Sequence, residues 1–100
     1  MERFNTRSID ELGMMVIPQD LRQRLGLESG SKLLLHPINT LAILYKIESD
    51  AGTNGFAFEM DDLGRIKLSQ DIRAKFGWEL KDKLAVYGVD NIIILKRDAA

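Results

Sequence analysis

The sequence repeats itself at a fixed spacing of 51 residues, and this duplication constrains the fold more than any other feature. Residues 10–26 read DELGMMVIPQDLRQRLG, and residues 61–77 read DDLGRIKLSQDIRAKFG. The same spacing matches Glu28 with Glu79, and Ile43-Leu44 with Ile94-Leu95. A gapless match of this length indicates that one structural unit occurs twice in the chain.

The small size of each copy predicts that the two copies share a core. The chain has 100 residues, and a unit of roughly half that length buries too little apolar surface to offset its chain entropy easily. We therefore expect one domain over residues 1–100, with repeats 4–48 and 56–98 joined by a linker at 49–55. The linker, SDAGTNG, is small and polar, which is typical of a flexible connection.

Each copy predicts the order strand, strand, helix, strand, strand, so the chain should be mostly β with two short helices. Asp10 and Gly13 suit a tight turn between the first two strands, because Asp accepts backbone N–H groups and Gly tolerates positive φ. Pro18 and Ser69 are suitable first residues for the helices, and Gly26 suits a helix end. The predicted strands are Phe4–Ile9, Met14–Ile17, Lys32–His36, Leu41–Ile47, Phe56–Met60, Arg65–Leu68, Lys83–Tyr87 and Ile92–Arg97.

Composition favours an ordinary globular protein and excludes several other classes. Hydrophobic residues make up 45% and charged residues 29% of the chain, and no apolar run reaches membrane-spanning length. The N-terminus lacks the apolar core of a signal peptide. Without cysteine the chain has no disulfide or thiolate chemistry, so we expect a cytoplasmic protein.

Charge is unevenly distributed along the chain. The formal net charge is −1, yet residues 64–75 carry four basic side chains against Asp71 alone. A local basic patch can bind an anionic partner even when the whole protein is nearly neutral.

These residues resemble the AbrB/MazE/SpoVT family of swapped-hairpin DNA-binding domains. The resemblance lies in the Asp-x-Leu-Gly turn, the strand that leads to the helix, the helix arginine, the closing Gly, and an apolar hairpin that ends in Ile94-Leu95-Lys96. It covers both repeats. It implies a swapped-hairpin β-barrel in which two tandem β-β-α-β-β repeats form a single-chain pseudo-dimer, and the related MraZ proteins also carry two copies per chain.

The resemblance also implies which residues bind DNA. Family members use arginines on the first strand, just after the turn glycine, and on the short helix. Phe58 replaces the first-strand arginine in the second copy, and Met14 replaces the turn-proximal arginine in the first. The implied DNA-binding residues, including basic neighbours, are Arg7, Arg22, Arg24, Arg65, Lys67, Arg73 and Lys75.

Structural explanations compete with these roles. Helix arginines commonly cover a solvated face, and a strand arginine commonly protects a sheet edge from aggregation. Trp78 and Phe58 are expected to fill the core rather than to stack on bases. His36 has no second His or Cys with which to share a metal, and no catalytic or phosphate-cradling motif is present. We therefore expect no enzyme activity, metal or cofactor.

The sequence thus predicts a sequence-preferring double-stranded-DNA-binding transcriptional regulator. Two alternatives stay open: an antitoxin-like module that binds a toxin-like protein, and a scaffold that has lost DNA binding. The antitoxin alternative is weakened by the tail Asp98-Ala99-Ala100, which is short compared with the tails that wrap toxins. Self-association also stays open, because one chain can complete the fold alone or two chains can exchange halves.

Overall fold

A computed structural model describes residues 1–48 and 56–98; the predicted linker at 49–55 lies outside the described residues. Within these ranges the chain is mostly β with two short helices, as predicted. Its elements are β1 Glu2–Ser8, β2 Met14–Val16, α1 Gln19–Leu25, β3 Lys32–Ile38, β4 Leu41–Ile47, β5 Phe56–Glu59, β6 Arg65–Lys67, α2 Gln70–Phe76, β7 Lys83–Val89 and β8 Ile92–Arg97.

The hairpin turns are tighter than the sequence predicted. The predicted strands end at His36 and resume at Leu41, which leaves four residues for the turn. In the structure Pro37 lies within β3 and pairs with Ala42, so only two residues connect the strands. Asn39 and Asp90 take positive φ angles of 55° and 51° at these two-residue turns, which is typical of hairpins. Pro37 is tolerated because β5 pairs only with residues 32–35 of β3, so no second strand is there to need its missing N–H.

Strand pairing runs between the two halves of the chain as well as within each half. The six-stranded sheet has the order β1-β7-β8-β4-β3-β5, and β2 pairs with β6 in a separate two-stranded ribbon. The first strand of each half therefore pairs with the hairpin of the other half. In the central pairing, β4 lies antiparallel to β8.

The registers of these pairings are related by the same spacing of 51 residues. Arg7 faces Leu84, and the positions 51 residues away from each, Phe58 and Leu33, face one another in the same way. Two pairs map onto themselves, namely Met15 with Ile66 and Ile43 with Ile94. The 51-residue relation therefore holds around these pairs. It fails at the start of β1, where the register shifts between Phe4 and Arg7. Val86 pairs with Phe4, whereas the matching Leu35 pairs with Phe56, which corresponds to Asn5.

Both halves contribute to one hydrophobic core. Leu33, Leu44, Leu84 and Leu95 are fully buried where the sheet faces the core, and Met15 and Ile66 close it from the ribbon side. Trp78 is buried and stacks on Phe76 at 4.5 Å between ring centroids. The prediction that Trp78 and Phe58 lie in the core is confirmed.

Tertiary packing and end capping hold the two short helices. Each helix has seven residues, too few for stability in isolation, and each buries one apolar side chain, Leu21 or Ile72. Ser69 caps α2 by accepting the Ile72 N–H, as predicted. Gly26 and Gly77 end the helices in the left-handed conformation. No helix in the described part of the chain is long and apolar enough to cross a membrane.

Candidate nucleic-acid interface

The ribbon of β2 and β6 presents chemically different side chains from its two strands. Met15 and Ile66 point into the core, so the residues on either side of each point outward. On this outward face Met14 lies opposite Lys67, and Val16 lies opposite Arg65. We call this surface the ribbon face, defined by Met14, Val16, Arg65 and Lys67. One strand supplies two apolar side chains and the other supplies two cations.

The turns that lead into the ribbon are built identically in both halves. Asp10 Oδ1 accepts the backbone N–H groups of Leu12 and Met14, each at 2.9 Å. Asp61 Oδ1 accepts the corresponding N–H groups of Leu63 and Arg65 at 2.9 and 2.8 Å. These bonds satisfy the turn backbone and determine where each ribbon strand begins.

Asp61 also holds Arg65. The Nε of Arg65 donates to Asp61 Oδ2 at 2.7 Å, and both side chains are about 30% exposed (31% and 27%). Partial burial opposes ionisation of Asp61, but the hydrogen bonds from Arg65 and Leu63 and the charge of Arg65 outweigh it, so the pKa of Asp61 lies below its ordinary value. Arg65 is therefore held in place through Nε, which leaves its terminal nitrogens able to donate to a ligand.

Arg22 and Arg73 connect each helix to the turn of the opposite half. Arg22 Nε donates to the carbonyl of Ile17, and Arg73 Nε donates to the carbonyl of Leu68, both at 2.9 Å. The Arg22 guanidinium lies against Gly64, where an added Cβ would be only 2.6 Å from Cζ. Both arginines therefore have a structural role, and both lie next to the ribbon.

The other two predicted helix cations differ from each other. Arg24 donates to Glu2 at 2.8 Å and lies over the ring of Phe4, with its Cζ 5.5 Å from the centroid. It also lines a groove of about 510 Å³ together with Tyr45. Lys75, at the matching position of α2, is exposed and has no ion pair among the described residues. Arg24 is thus occupied at the start of β1, and the structure does not bring it to the ribbon face.

Arg7 lies on the six-stranded sheet rather than on the ribbon. It faces Leu84 of β7, next to an irregularity in the register of β1. Its Nε is buried without a hydrogen-bond partner in the described part of the chain, although the residue as a whole is half-buried. The side chain of Arg7 is therefore partly enclosed against the sheet, and the structure does not bring it to the ribbon face.

The structure therefore brings together four of the seven predicted residues. Arg65 and Lys67 lie on the ribbon face, and Arg22 and Arg73 contact the adjoining turns and strand ends. The sequence prediction did not include the exposed leucines at the tips of these turns, Leu12 (72% exposed) and Leu63 (62% exposed). The only feature of the sequence that could have predicted their exposure is their position directly before the turn glycine.

Metal-binding groups and similarity to known proteins were the two remaining sources of information about this site. Within the described residues no group of three or more His, Cys, Asp or Glu side chains could hold a metal ion. Comparison with known proteins adds no identification, since no protein-family model and no curated protein matches this chain.

Proposed function

We propose that this protein binds double-stranded DNA through the ribbon face and its flanking helix arginines, and that it acts as a transcriptional regulator. The observation that carries the proposal is the position of Arg65 and Lys67 on the outward side of the ribbon, with Arg22 and Arg73 beside them. A fork-shaped guanidinium can bind a phosphate or a guanine edge with two parallel hydrogen bonds.

The proposal includes a specific fold, a swapped-hairpin β-barrel made by one chain from two tandem repeats. Its support is the pairing of β1 with β7 and of β5 with β3, which places the first strand of each half against the hairpin of the other. Further support comes from the two strand pairs that map onto themselves when the halves are exchanged. In this arrangement Arg22 of α1 lies against Gly64, the turn glycine of the other half.

Binding would depend mainly on neutralisation of phosphates. Cations that replace condensed counterions make affinity fall steeply with salt. Arg22 and Arg73 are held through Nε to backbone carbonyls, so little side-chain entropy remains to be lost when they bind. Sequence preference would then come from base-edge contacts and from the shape and deformability of the duplex.

The test is fluorescence anisotropy on an AT-rich duplex across a salt series. The variant Arg65→Met/Lys67→Val gives the second repeat the side chains that the first repeat has at Met14 and Val16. We expect the log–log salt slope to flatten by about 0.9 for each phosphate that the variant no longer neutralises. Lys96→Gln is the control, because Lys96 is exposed on β8, outside the ribbon. Equal binding by wild type and the double variant would overturn the proposal.

A second candidate is a protein-binding module of the antitoxin kind. The observation that favours it is the exposure of Leu12 and Leu63 beside the apolar side chains of Met14 and Val16. An apolar surface of this kind suits a protein partner better than a phosphate backbone. If no duplex binds even at low salt, this candidate or a scaffold without DNA binding replaces the first.

A further inference from the structure

The two halves of the candidate interface carry unequal charge. Residues 10–26 contain three acidic and two basic side chains, for a net charge of −1. Residues 61–77 contain three acidic and four basic side chains, for a net charge of +1. The difference arises at two positions, where Arg65 and Lys67 correspond to Met14 and Val16. Both of these positions lie on the ribbon face.

Ion pairing leaves fewer cations available in the first segment. Arg24, one of the two basic residues in the first segment, is paired with Glu2 at 2.8 Å. Its counterpart Lys75 has no ion pair within the described residues, and neither does Lys67. Arg65 is paired with Asp61, but through Nε, so its terminal nitrogens can still donate to a ligand. More of the second segment's positive charge is thus available for an anionic partner.

We infer that the protein binds duplex DNA in one orientation and prefers a site that is not palindromic. This inference rests on the proposed function. The second-repeat side of the ribbon face would neutralise more phosphates, through Arg65 and Lys67. The first-repeat side would place Met14 and Val16 toward the duplex, where apolar side chains can contact thymine methyl groups but cannot bind phosphate.

The energetics of orientation follow from this difference. A protein with two equal halves makes the same contacts with DNA in either direction, so neither direction has the higher affinity. Here a reversal moves two cations from one side of the site to the other, so an asymmetric duplex distinguishes the two directions. Up to two phosphate contacts are involved, each contributing about 0.9 to the salt slope on B-DNA.

The experiment uses the two turn tips as markers of orientation. The chain has no cysteine, so Leu12→Cys and Leu63→Cys each introduce one site for a tethered hydroxyl-radical-generating chelate. Both leucines are exposed, so the substitutions should leave the fold intact. Bound duplexes are first selected from a randomised library with unlabelled wild-type protein, and each labelled variant then cleaves the selected site.

The inference predicts a selected site without dyad symmetry. It also predicts that each probe cleaves mainly on one flank, and that the two probes cleave opposite flanks. In a further variant, Met14→Arg gives the first repeat a turn-proximal cation, which Asp10 can hold as Asp61 holds Arg65. We expect this variant to raise the salt slope by about 0.9 and to make cleavage more nearly equal on the two flanks.

Two results would overturn the inference, and they have different meanings. A palindromic selected site, or equal cleavage of both flanks by each probe, would show that the halves are equivalent on DNA, and the proposed function would stand. Failure to select any duplex, together with no anisotropy change at low salt, would overturn the proposed function as well.

Discussion

Segments 10–26 and 61–77 share a set of hydrogen bonds between side chains and the backbone but differ in the side chains that they present outward. In both, an Asp holds the turn and a helix arginine donates to the carbonyl at the strand end. Only the second segment adds cations to the outward side of its ribbon strand. The turn aspartate, the turn glycine and the helix arginine are the same in both segments, while the outward positions of the ribbon strands differ.

The two hairpins, β3–β4 and β7–β8, also differ at a position that contacts the core. Gly88 in β7 corresponds to Pro37 in β3, at the same position of the two hairpins. A Cβ added at Gly88 would lie 2.5 Å from Leu21 Cδ2 and 3.1 Å from Phe4 Cε1. Leu21 is fully buried and cannot move away without disturbing the core. The close approach of α1 to β7 therefore depends on the missing side chain at Gly88.

We expect Gly88→Ala to give the largest loss of stability. Overpacking in a well-packed core costs roughly 1–3 kcal/mol, and the φ of Gly88 is not positive, so the loss would come from packing rather than from backbone strain. Urea unfolding followed by Trp78 fluorescence measures it. Gly30→Ala is the control for backbone strain without overpacking: its added Cβ meets no atom within 4 Å, but its φ is +87°. Wild-type stability in Gly88→Ala would contradict the packing explanation.

The second prediction tests the contact between Arg22 and the opposite turn. Gly64→Ala and Gly77→Ala impose similar backbone strain, with φ of 76° and 72°, but only the Cβ at position 64 meets another group, the Arg22 guanidinium. Displacement of that group breaks its hydrogen bond to Ile17. We expect Gly64→Ala to lose about 1 kcal/mol more than Gly77→Ala, the usual net contribution of one hydrogen bond.

Chemical denaturation of both variants, alone and with Arg22→Ala, completes the test. In the Arg22→Ala background the guanidinium is gone, so the two alanine substitutions should cost the same. An excess cost for Gly64→Ala that survives removal of Arg22 would show that the contact is not its cause.

Local features of this structure follow from the sequence, and features that join distant residues do not. Ser69 as a helix cap and the left-handed glycines that end the helices were predicted because each depends on a few neighbouring residues. The inclusion of Pro37 in β3 was missed, because it depends on how far β5 extends along that strand.

The candidate site shows the same limit. The sequence placed Arg24 among the DNA-binding residues, but its partner Glu2 lies 22 residues away in the chain. Similarly, Arg22 reaches Gly64 in the other half. Side-chain pairing of this kind depends on the tertiary fold, so spacing alone could not separate occupied cations from available ones.

The third prediction concerns the aspartates that hold the two turns. The folded-state pKa of Asp61 is lowered, so its contribution to stability is present above the unfolded-state pKa of about 3.9 and is lost as pH falls through the folded-state pKa. Asp61→Asn should therefore be less stable than wild type at neutral pH, and the difference should shrink below about pH 4. Thermal melts from pH 7 to pH 2.5 measure it.

Asp10→Asn is the matched control for that series. An amide oxygen can still accept the N–H groups of Leu12 and Met14, and no arginine follows the first turn glycine. We expect a smaller loss at neutral pH than for Asp61→Asn. Equal losses in the two variants would mean that the Arg65 ion pair contributes nothing beyond the turn itself.

The smallest expected effect concerns the pair that occupies Arg24. Arg24 and Glu2 are 44% and 57% exposed, and exposed ion pairs contribute at most about 1 kcal/mol. We expect Glu2→Gln to change the free energy of unfolding by less than about 0.5 kcal/mol, as measured by urea titration.

If this pair keeps Arg24 from DNA, the same variant should strengthen duplex binding at low salt. Glu28→Gln removes an equal exposed charge without freeing Arg24, so it should strengthen binding less. Equal gains from both would show that general charge, and not release of Arg24, governs the effect, and Arg24 would then lie outside the interface altogether.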